Sequence, residues 1–128
     1  MTAPNAVAVR ELGPKYANSV EVGGHSLVCD EPLADGGAYA GPQPFEYVLA
    51  GLGACTTMTL RMYADRKGWA LRRASVVVTM PEPGKLVRAV TLEGDLDDEQ
   101  RKRLLAIAEH CPVHKFLKAE KTIETIAV

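Results

Sequence analysis

The chain has 128 residues, a formal net charge of −1 at pH 7 and an aromatic content of 5%. These values exclude nucleic acid as an expected partner, because there is no basic excess for phosphates and there are few rings for base stacking. The length fits a single domain over residues 1–128. The N-terminus lacks a basic segment followed by an apolar one, so we expect no secretory leader and predict a cytoplasmic location. The three cysteines are then expected to be reactive rather than structural.

The N-terminal part of the chain reads as β structure. Alternating and β-branched residues predict strands over 6–12 and 16–22, joined by a Gly-Pro turn, and a third strand over 25–30. Cys29 lies on the third strand and is interpreted as a small buried hydrophobic residue. The segment 32–42 has no periodic pattern, and we expect this loop to carry binding function and to gate access to Cys55.

The longest apolar run predicts a helix over 44–67, with Pro at its first position and Gly immediately after it. The helix is apolar on nearly every side, so we expect it to be buried, with Cys55 in the middle. Its uncharged core between Glu46 and Arg61 is 14 residues long, shorter than the roughly 20 apolar residues of a membrane span. A chain this short has few residues left to cover such a helix, which indicates a homodimer.

The second half of the chain mixes strands and helices. The patterns predict strands over 71–79 and 86–93, a helix over 101–110 and a closing strand over 122–128. Pro112 is expected to begin a further short helix with Cys111 at its N-terminus. The resulting order, with two antiparallel strand groups and a long central helix, predicts an α+β fold.

Cys55 and Cys111 are the main candidates for chemistry. Cys55 alone is equally well explained as an inert packed thiol. Cys111 differs, because a helix N-terminus stabilises a thiolate and both His110 and Lys115 are nearby in sequence. If folding brings the two thiols together, the pair suits a peroxide reductase in which a sulfenic acid condenses with the second thiol.

A zinc site is the competing use of the same residue types. Cys111 and His114 have a spacing that places two ligands on one helical face, and His25, Cys29 or Cys55 could complete the set. However, the sequence has no Cys-x-x-Cys pair, so no metal site is predicted. Hydrolase chemistry is disfavoured, since the hydroxyl side chains have no Gly-x-Ser-x-Gly turn.

Two segments resemble the OsmC/Ohr family, which comprises osmotically inducible and organic hydroperoxide resistance proteins. They are GPQPFEYVLAGLGACTTMTLRMYA at 41–64 and EHCPVHKFL at 109–117. The resemblance covers nearly the whole chain, and the loop with Asp30-Glu31-Pro32 and Gly36-Gly37 is closer to the OsmC-like branch. It implies an α+β fold in an intertwined homodimer, with active sites at the subunit interface around a long central helix from each chain.

The same resemblance implies a thiol-dependent peroxidase that reduces organic hydroperoxides in oxidative stress defence. By position, Cys55 matches the attacking cysteine and Cys111 the resolving one. The resulting disulfide would be reduced by an external dithiol such as protein-bound lipoamide, with no metal or organic cofactor. The alternative is a stress-associated small-molecule binding protein that keeps the fold and an apolar pocket with weak or no peroxidase activity.

The acid and the cation that assist catalysis in the family have no direct match. The family's Glu directly follows the Pro at the helix start, where this chain has Phe45. Glu46 is one residue later, turned by about 100° on a regular helix, and is the candidate catalytic acid, facing the partner subunit. No Arg occurs between Arg10 and Arg61, so the sequence identifies no cation for Cys55, whose burial would raise the thiol pKa.

Overall fold

The computed structural model describes residues 2–128 and contains three α-helices and five strands. Met1, where the predicted single domain begins, lies outside the described residues. The elements are β1 (Ala8–Glu11), β2 (Asn18–Val22), β3 (His25–Cys29), α1 (Pro44–Lys67), β4 (Ala70–Glu82), β5 (Lys85–Asp95), α2 (Asp98–Ala108) and α3 (Pro112–Lys118). All strand pairs are antiparallel, which confirms the α+β class. The chain forms two compact units, residues 1–50 and 51–128.

The first unit is built on a three-stranded sheet in the order β1-β2-β3. Its register pairs Val9 with Val20 and Val20 with Leu27, so apolar side chains share one face of neighbouring strands. The predicted hairpin and third strand are confirmed, with somewhat shorter strands than the pattern indicates.

The loop after β3 is organised around the carboxylate of Asp30, which is only 2% exposed. It accepts hydrogen bonds from the backbone N–H groups of Glu31, Ala38 and Ala40. A short 3₁₀ turn, Leu33–Asp35, lies within the loop. A buried carboxylate needs such partners, so the segment predicted to lack a pattern has a defined structure.

Helix α1 has the predicted bounds, but only one side of it is buried. At its start the Gln43 N–H donates to the Glu46 carboxylate at 2.9 Å, as in a capping box. The buried residues are Leu52, Cys55, Thr56, Leu60 and Ala64. Met58 and Met62 are 59% and 66% exposed. The described residues of the single chain thus cover only one stripe of the helix, and burial of its other side by a second subunit stays a prediction. Within residues 2–128, the helices are too short or too polar to cross a bilayer.

The second unit has its own core beneath a long β4–β5 hairpin. The core residues are Leu60, Ala64, Leu71, Leu104, Ile107 and Ala108. Helix α2 begins at Asp98, before the predicted start at residue 101, because a complete capping box between Asp97 and Gln100 sets its first turn. Gly94, in β5, has a φ of 147°, and an added Cβ would lie 2.1 Å from the Ala70 carbonyl oxygen. The hairpin therefore requires glycine at this close approach.

The closing strand predicted over 122–128 is wrong. Residues 119–128 are irregular, and Ile123 and Ile126 are 90% and 73% exposed. A strand is defined by ladder hydrogen bonds, and no strand among residues 2–128 pairs with this segment. Its alternating pattern thus has no partner within the chain.

Candidate functional site

Cys55 and Cys111 meet in a buried cluster of the second unit. Leu52 completes the cluster, and Val78, Val113 and Leu117 pack against it. Cys55 lies on the buried stripe of α1 and is 7% exposed, whereas Cys111 is fully buried at 0%. Both side chains are free thiols. The condition that the sequence could not test, proximity of the two thiols, is therefore met.

The local sequence places Cys111 at the start of α3, as predicted. Pro112 occupies the first helical position, where its missing N–H costs nothing. Cys111 is the N-cap residue in an extended conformation, and its Sγ accepts a hydrogen bond from the His114 N–H at 3.4 Å. The thiol thus receives a helix N-terminal donor, an interaction that favours its charged form.

Burial raises the pKa of the Cys55 thiol above its ordinary value. Side-chain hydrogen bonding with Cys111 and the negative charge of that neighbour act in the same direction, while a backbone hydrogen bond from Val113 opposes them. Cys55 is therefore the member of the pair that keeps its proton.

The pKa of Cys111 is lowered, although burial acts to raise it. Side-chain hydrogen bonding with Cys55, the His114 backbone N–H and the Thr56 side chain together outweigh burial. The first negative charge on the pair therefore resides on Cys111, with the Cys55 thiol as one of its donors.

Arg88 supplies a cation beside the thiol pair. This side chain from β5 is 11% exposed. Its Nη1 donates to Thr56 Oγ1 at 3.1 Å, and its Nη2 donates to His114 Nδ1 at 3.0 Å. Arg61 is occupied elsewhere, since its guanidinium donates to the carbonyl oxygens of Leu71 and Arg72.

Arg88 was not identified from the sequence, although the alternating pattern of β5 contains a signal for it. In β5, Arg88 alternates in step with Val90 and Leu92, which pack against the core. A charged residue in an inward position of an alternating strand requires a buried partner.

Glu109 and His114 extend this polar group. The His114 Nε2 lies 3.2 Å from Glu109 Oε2, and Arg88 Nη2 lies 3.7 Å from the same oxygen. A guanidinium only donates, so His114 Nδ1 is the acceptor of the Arg88 hydrogen bond and the imidazole proton is on Nε2. Arg88 thus donates to one ring nitrogen of His114, and the Glu109 carboxylate lies close to the other.

A cavity of about 470 Å³ opens beside this polar group. It is lined by Leu52, Gly84, Lys85, Leu86, Arg88, Glu109, His114, Leu117 and Lys118. Leu52 and Leu117 also pack in the thiol cluster. The cavity therefore shares a wall with the cysteine pair and combines apolar surface with several cations.

Glu46, the predicted catalytic acid, lies in the first unit. Its carboxylate accepts hydrogen bonds from the Tyr39 hydroxyl at 2.9 Å and from the Gln43 N–H at 2.9 Å. Tyr39 has a φ of 50°, uncommon for a non-glycine residue. These hydrogen bonds connect the preceding loop to the start of α1. The catalytic role of Glu46 stays a prediction.

The zinc alternative gains no support. Among residues 2–128, no group of three or more His, Cys, Asp and Glu side chains is arranged to hold a metal ion. His114, its key ligand, is engaged by Arg88 and Glu109 through both ring nitrogens.

In the first unit, the pKa of Cys29 is raised, by burial and then by the charges of Glu31 and Asp30.

Comparison with protein families gives one match over most of the chain. The model of the family described as OsmC-like protein matches residues 35–126. This range includes both cysteines of the pair, Arg88 and His114. A comparison with curated proteins finds no match.

Solved structures with the same fold come from several bacteria. The OsmC-like protein of Mycoplasma pneumoniae has a TM-score of 0.75 at 18% identity, over 92% of this chain and 89% of the other. The organic hydroperoxide resistance protein OsmC of Legionella pneumophila has a TM-score of 0.60 at 21% identity, over 91% and 92%. The organic hydroperoxide resistance protein OhrB of Bacillus subtilis has a TM-score of 0.55 at 24% identity, over 89% and 90%. At these identities the likeness concerns the fold.

Proposed function

Because the chain belongs to the OsmC-like protein family, we propose that it is a thiol-dependent peroxidase that reduces organic hydroperoxides through Cys55 and Cys111. The observation that carries the proposal is the direct packing of these two free thiols in one buried cluster. Two structures of the same fold are named as organic hydroperoxide resistance proteins, which agrees with this substrate class.

In this proposal Cys55 is the attacking thiol and Cys111 the resolving one. Cys55 retains 7% exposure while Cys111 has none, so a peroxide reaches Cys55 first. The Cys111 thiolate is the proposed acceptor of the Cys55 proton, because it interacts directly with the Cys55 side chain; this transfer runs against the two pKa shifts, and the attack on the peroxide draws it forward. The pair thus combines an accessible nucleophile with a buried proton acceptor.

The reaction then proceeds in two displacements. The Cys55 thiolate attacks the terminal oxygen of the hydroperoxide, the O–O bond breaks, and Cys55 becomes a sulfenic acid. The departing alkoxide takes the proton held by Cys111 and leaves as the alcohol. The Cys111 thiolate attacks the Cys55 sulfur and releases hydroxide, which becomes water with a proton from solvent. The two thiols are oxidised to a disulfide and the peroxide is reduced by two electrons.

An external dithiol returns the enzyme to its reduced state by exchange with this disulfide. A lipoylated protein is the proposed reductant, no metal or organic cofactor takes part, and Glu46 is retained as the candidate acid facing a partner subunit. A cytoplasmic location fits this cycle, because thiol pools are reducing there.

A homodimer is part of the proposal. The outer side of α1 carries exposed Met58 and Met62 on adjacent turns. Exposed apolar patches on a helix are typical of interaction surfaces. A second copy of the chain is the proposed cover for this side.

The test is oxidation of the reduced, purified protein with one equivalent of cumene hydroperoxide. Thiol-dependent loss of the peroxide and a Cys55–Cys111 disulfide in peptide mass spectra are expected, with Cys29→Ser as a matched control that behaves like wild type. Absence of both the disulfide and the peroxide loss would contradict the proposal.

The second candidate function is a small-molecule binding protein with weak or no peroxidase activity. The raised pKa of Cys55 favours it, because a buried protonated thiol reacts slowly. Unchanged peroxide tolerance of cells carrying Cys55→Ser would support this function over the first.

A further inference from the structure

The imidazole of His114 and the guanidinium of Arg88 both lie close to one carboxylate oxygen at the wall of the cavity. His114 Nε2 lies 3.2 Å and Arg88 Nη2 lies 3.7 Å from Oε2 of Glu109. Arg88 also donates hydrogen bonds to Thr56 and to His114. These bonds fix the direction in which the N–H groups of Arg88 and His114 point. A pair of positioned donors, one of them a guanidinium, is a receptor for a carboxylate.

The carboxylate at this position belongs to Glu109, which is the most exposed of the three side chains. The Glu109 side chain is 65% exposed, whereas Arg88 and His114 are 11% and 20% exposed. Ion pairs with so exposed a partner contribute little to stability. Glu109 can therefore move into solvent at small cost, and the donors would then face the cavity.

The rest of the cavity fits an amphipathic anion. Its apolar lining is Leu52, Leu86 and Leu117, and its further charged lining is Lys85 and Lys118. The cations Lys85, Arg88 and Lys118 thus outnumber the single carboxylate. The volume, about 470 Å³, lies within the usual range for small-molecule sites.

We propose that Arg88 and His114 form a carboxylate-binding subsite that Glu109 occupies in the free protein, and that an organic carboxylate with an apolar chain displaces Glu109 there. The apolar chain would lie along Leu52 and Leu117, which also contact the cysteine pair. A role for this subsite in turnover rests on the proposed function, whereas the binding of a carboxylate to it does not. The carboxylate belongs either to the hydroperoxide or to the thiol that reduces the disulfide.

Binding is tested on the full chain with Cys55→Ser, which needs no peroxidase activity. Octanoate and octanamide share an alkyl chain and differ in charge, and calorimetry measures their affinities. Octanoate is expected to bind more tightly. Glu109→Gln removes the internal competitor and is expected to raise octanoate affinity by about two- to fivefold, as expected for loss of a weak exposed ion pair. His114→Leu removes one donor and is expected to weaken octanoate binding.

Glu99→Gln is the matched control, because it makes the same charge change on an exposed residue at the other end of α2, outside the cavity lining. It is expected to leave octanoate affinity at the wild-type value. Equal affinities for octanoate and octanamide would overturn the proposal. So would a Glu109→Gln variant that is indistinguishable from Glu99→Gln.

Turnover of the wild-type protein then identifies the source of the carboxylate. A lower KM for a fatty-acid hydroperoxide than for its methyl ester assigns the subsite to the substrate. A lower KM for mercapto-octanoate than for octanethiol assigns it to the reductant. If octanoate binds as expected but no peroxide is consumed, the proposed peroxidase function fails while the subsite stands.

Discussion

Arg88 Nη1 donates a hydrogen bond to Thr56 Oγ1 at 3.1 Å. Thr56 is fully buried, its hydroxyl lies 2.7 Å from the Leu52 carbonyl oxygen, and its side chain contributes to the lowered pKa of Cys111. The hydroxyl has a single proton, so the carbonyl oxygen and the Cys111 thiolate compete for one donor. One buried hydroxyl thus stands between the guanidinium on β5 and the thiol at the start of α3. We infer that Arg88 positions Thr56 and favours the Cys111 thiolate through it.

Replacing Thr56 with Val removes the hydroxyl but keeps the branched shape. Because an Arg88 donor then lacks its partner, we expect the free energy of unfolding to fall by about 1–3 kcal/mol. The pKa of Cys111 should rise, since one of the hydrogen bonds that lower it is lost. Urea unfolding measures the first effect, and a pH titration of thiolate absorbance at 240 nm in a Cys29→Ser background measures the second, because the burial of Cys111 limits its alkylation.

Thr56→Ser is the control for this change, because it keeps the hydroxyl and loses only a methyl group. It should retain the thiolate titration profile of the wild type even where the lost packing lowers the free energy of unfolding. A Thr56→Val variant with an unchanged Cys111 profile would show that the Arg88–Thr56 contact has no effect on the thiol.

The two thiols should titrate in separate steps. The pKa of Cys111 is lowered and that of Cys55 is raised, so as pH rises Cys111 becomes the first thiolate and Cys55 ionises only above the ordinary thiol range. Iodoacetamide labelling followed by peptide mass spectrometry, in a Cys29→Ser background, measures each residue. Because Cys111 is the more buried thiol, thiolate absorbance at 240 nm is the deciding measurement and should show two separate ionisation steps. A single step that accounts for both thiols would contradict this prediction.

Removal of Cys111 should shift the Cys55 step to lower pH. Both the hydrogen bond with Cys111 and its negative charge raise the Cys55 pKa, and Cys111→Ser removes the charge. The absorbance titration of the double variant Cys29→Ser, Cys111→Ser then shows a single thiol with a midpoint below that of Cys55 in the intact pair. An unchanged midpoint would mean that burial alone sets the Cys55 pKa.

The sequence was sufficient for most elements but not for the polar contacts of the site. The bounds of α1, the capping box at Asp97 and the N-cap position of Cys111 were predictable, because each depends on residues adjacent in the chain. The contact between Cys55 and Cys111 joins residues 56 positions apart. Family resemblance indicated it, whereas periodicity could not.

Arg88 and the C-terminal segment show two different limits of sequence interpretation. The partners of Arg88 lie 32 residues before it and 26 after it, so local patterns do not reveal them. The segment 122–128 has alternating apolar residues but no pairing strand within the described chain. An alternating apolar pattern favours a β-strand, but the strand forms only where a neighbouring strand pairs with it.

The roles of the two cysteines separate in single-turnover experiments. Cys111→Ser should consume one equivalent of peroxide to form the Cys55 sulfenic acid, and a second equivalent as this acid is oxidised further to the sulfinic acid, because no thiol traps the intermediate. In a Cys29→Ser background, Cys55→Ser should lose peroxide consumption altogether, since the one remaining thiol, Cys111, is fully buried. Stopped-flow peroxide measurement and intact mass spectrometry distinguish them, and equal loss of the first turnover in both variants would show that the roles are misassigned.

The exposed side of α1 provides the last prediction. Met58 and Met62 are 59% and 66% exposed and lie four positions apart on the helix, so they form one apolar patch. Replacing both with Glu should convert a homodimer into a monomer in sedimentation velocity, because charges buried at an interface without partners are costly. The fold of the single chain should persist in circular dichroism, since neither side chain is in its core. Leu105→Glu, at a 49% exposed position on α2, is the control and should leave the dimer intact. A wild-type monomer, or a double variant that sediments as the wild-type dimer does, would exclude this side of α1 as the interface.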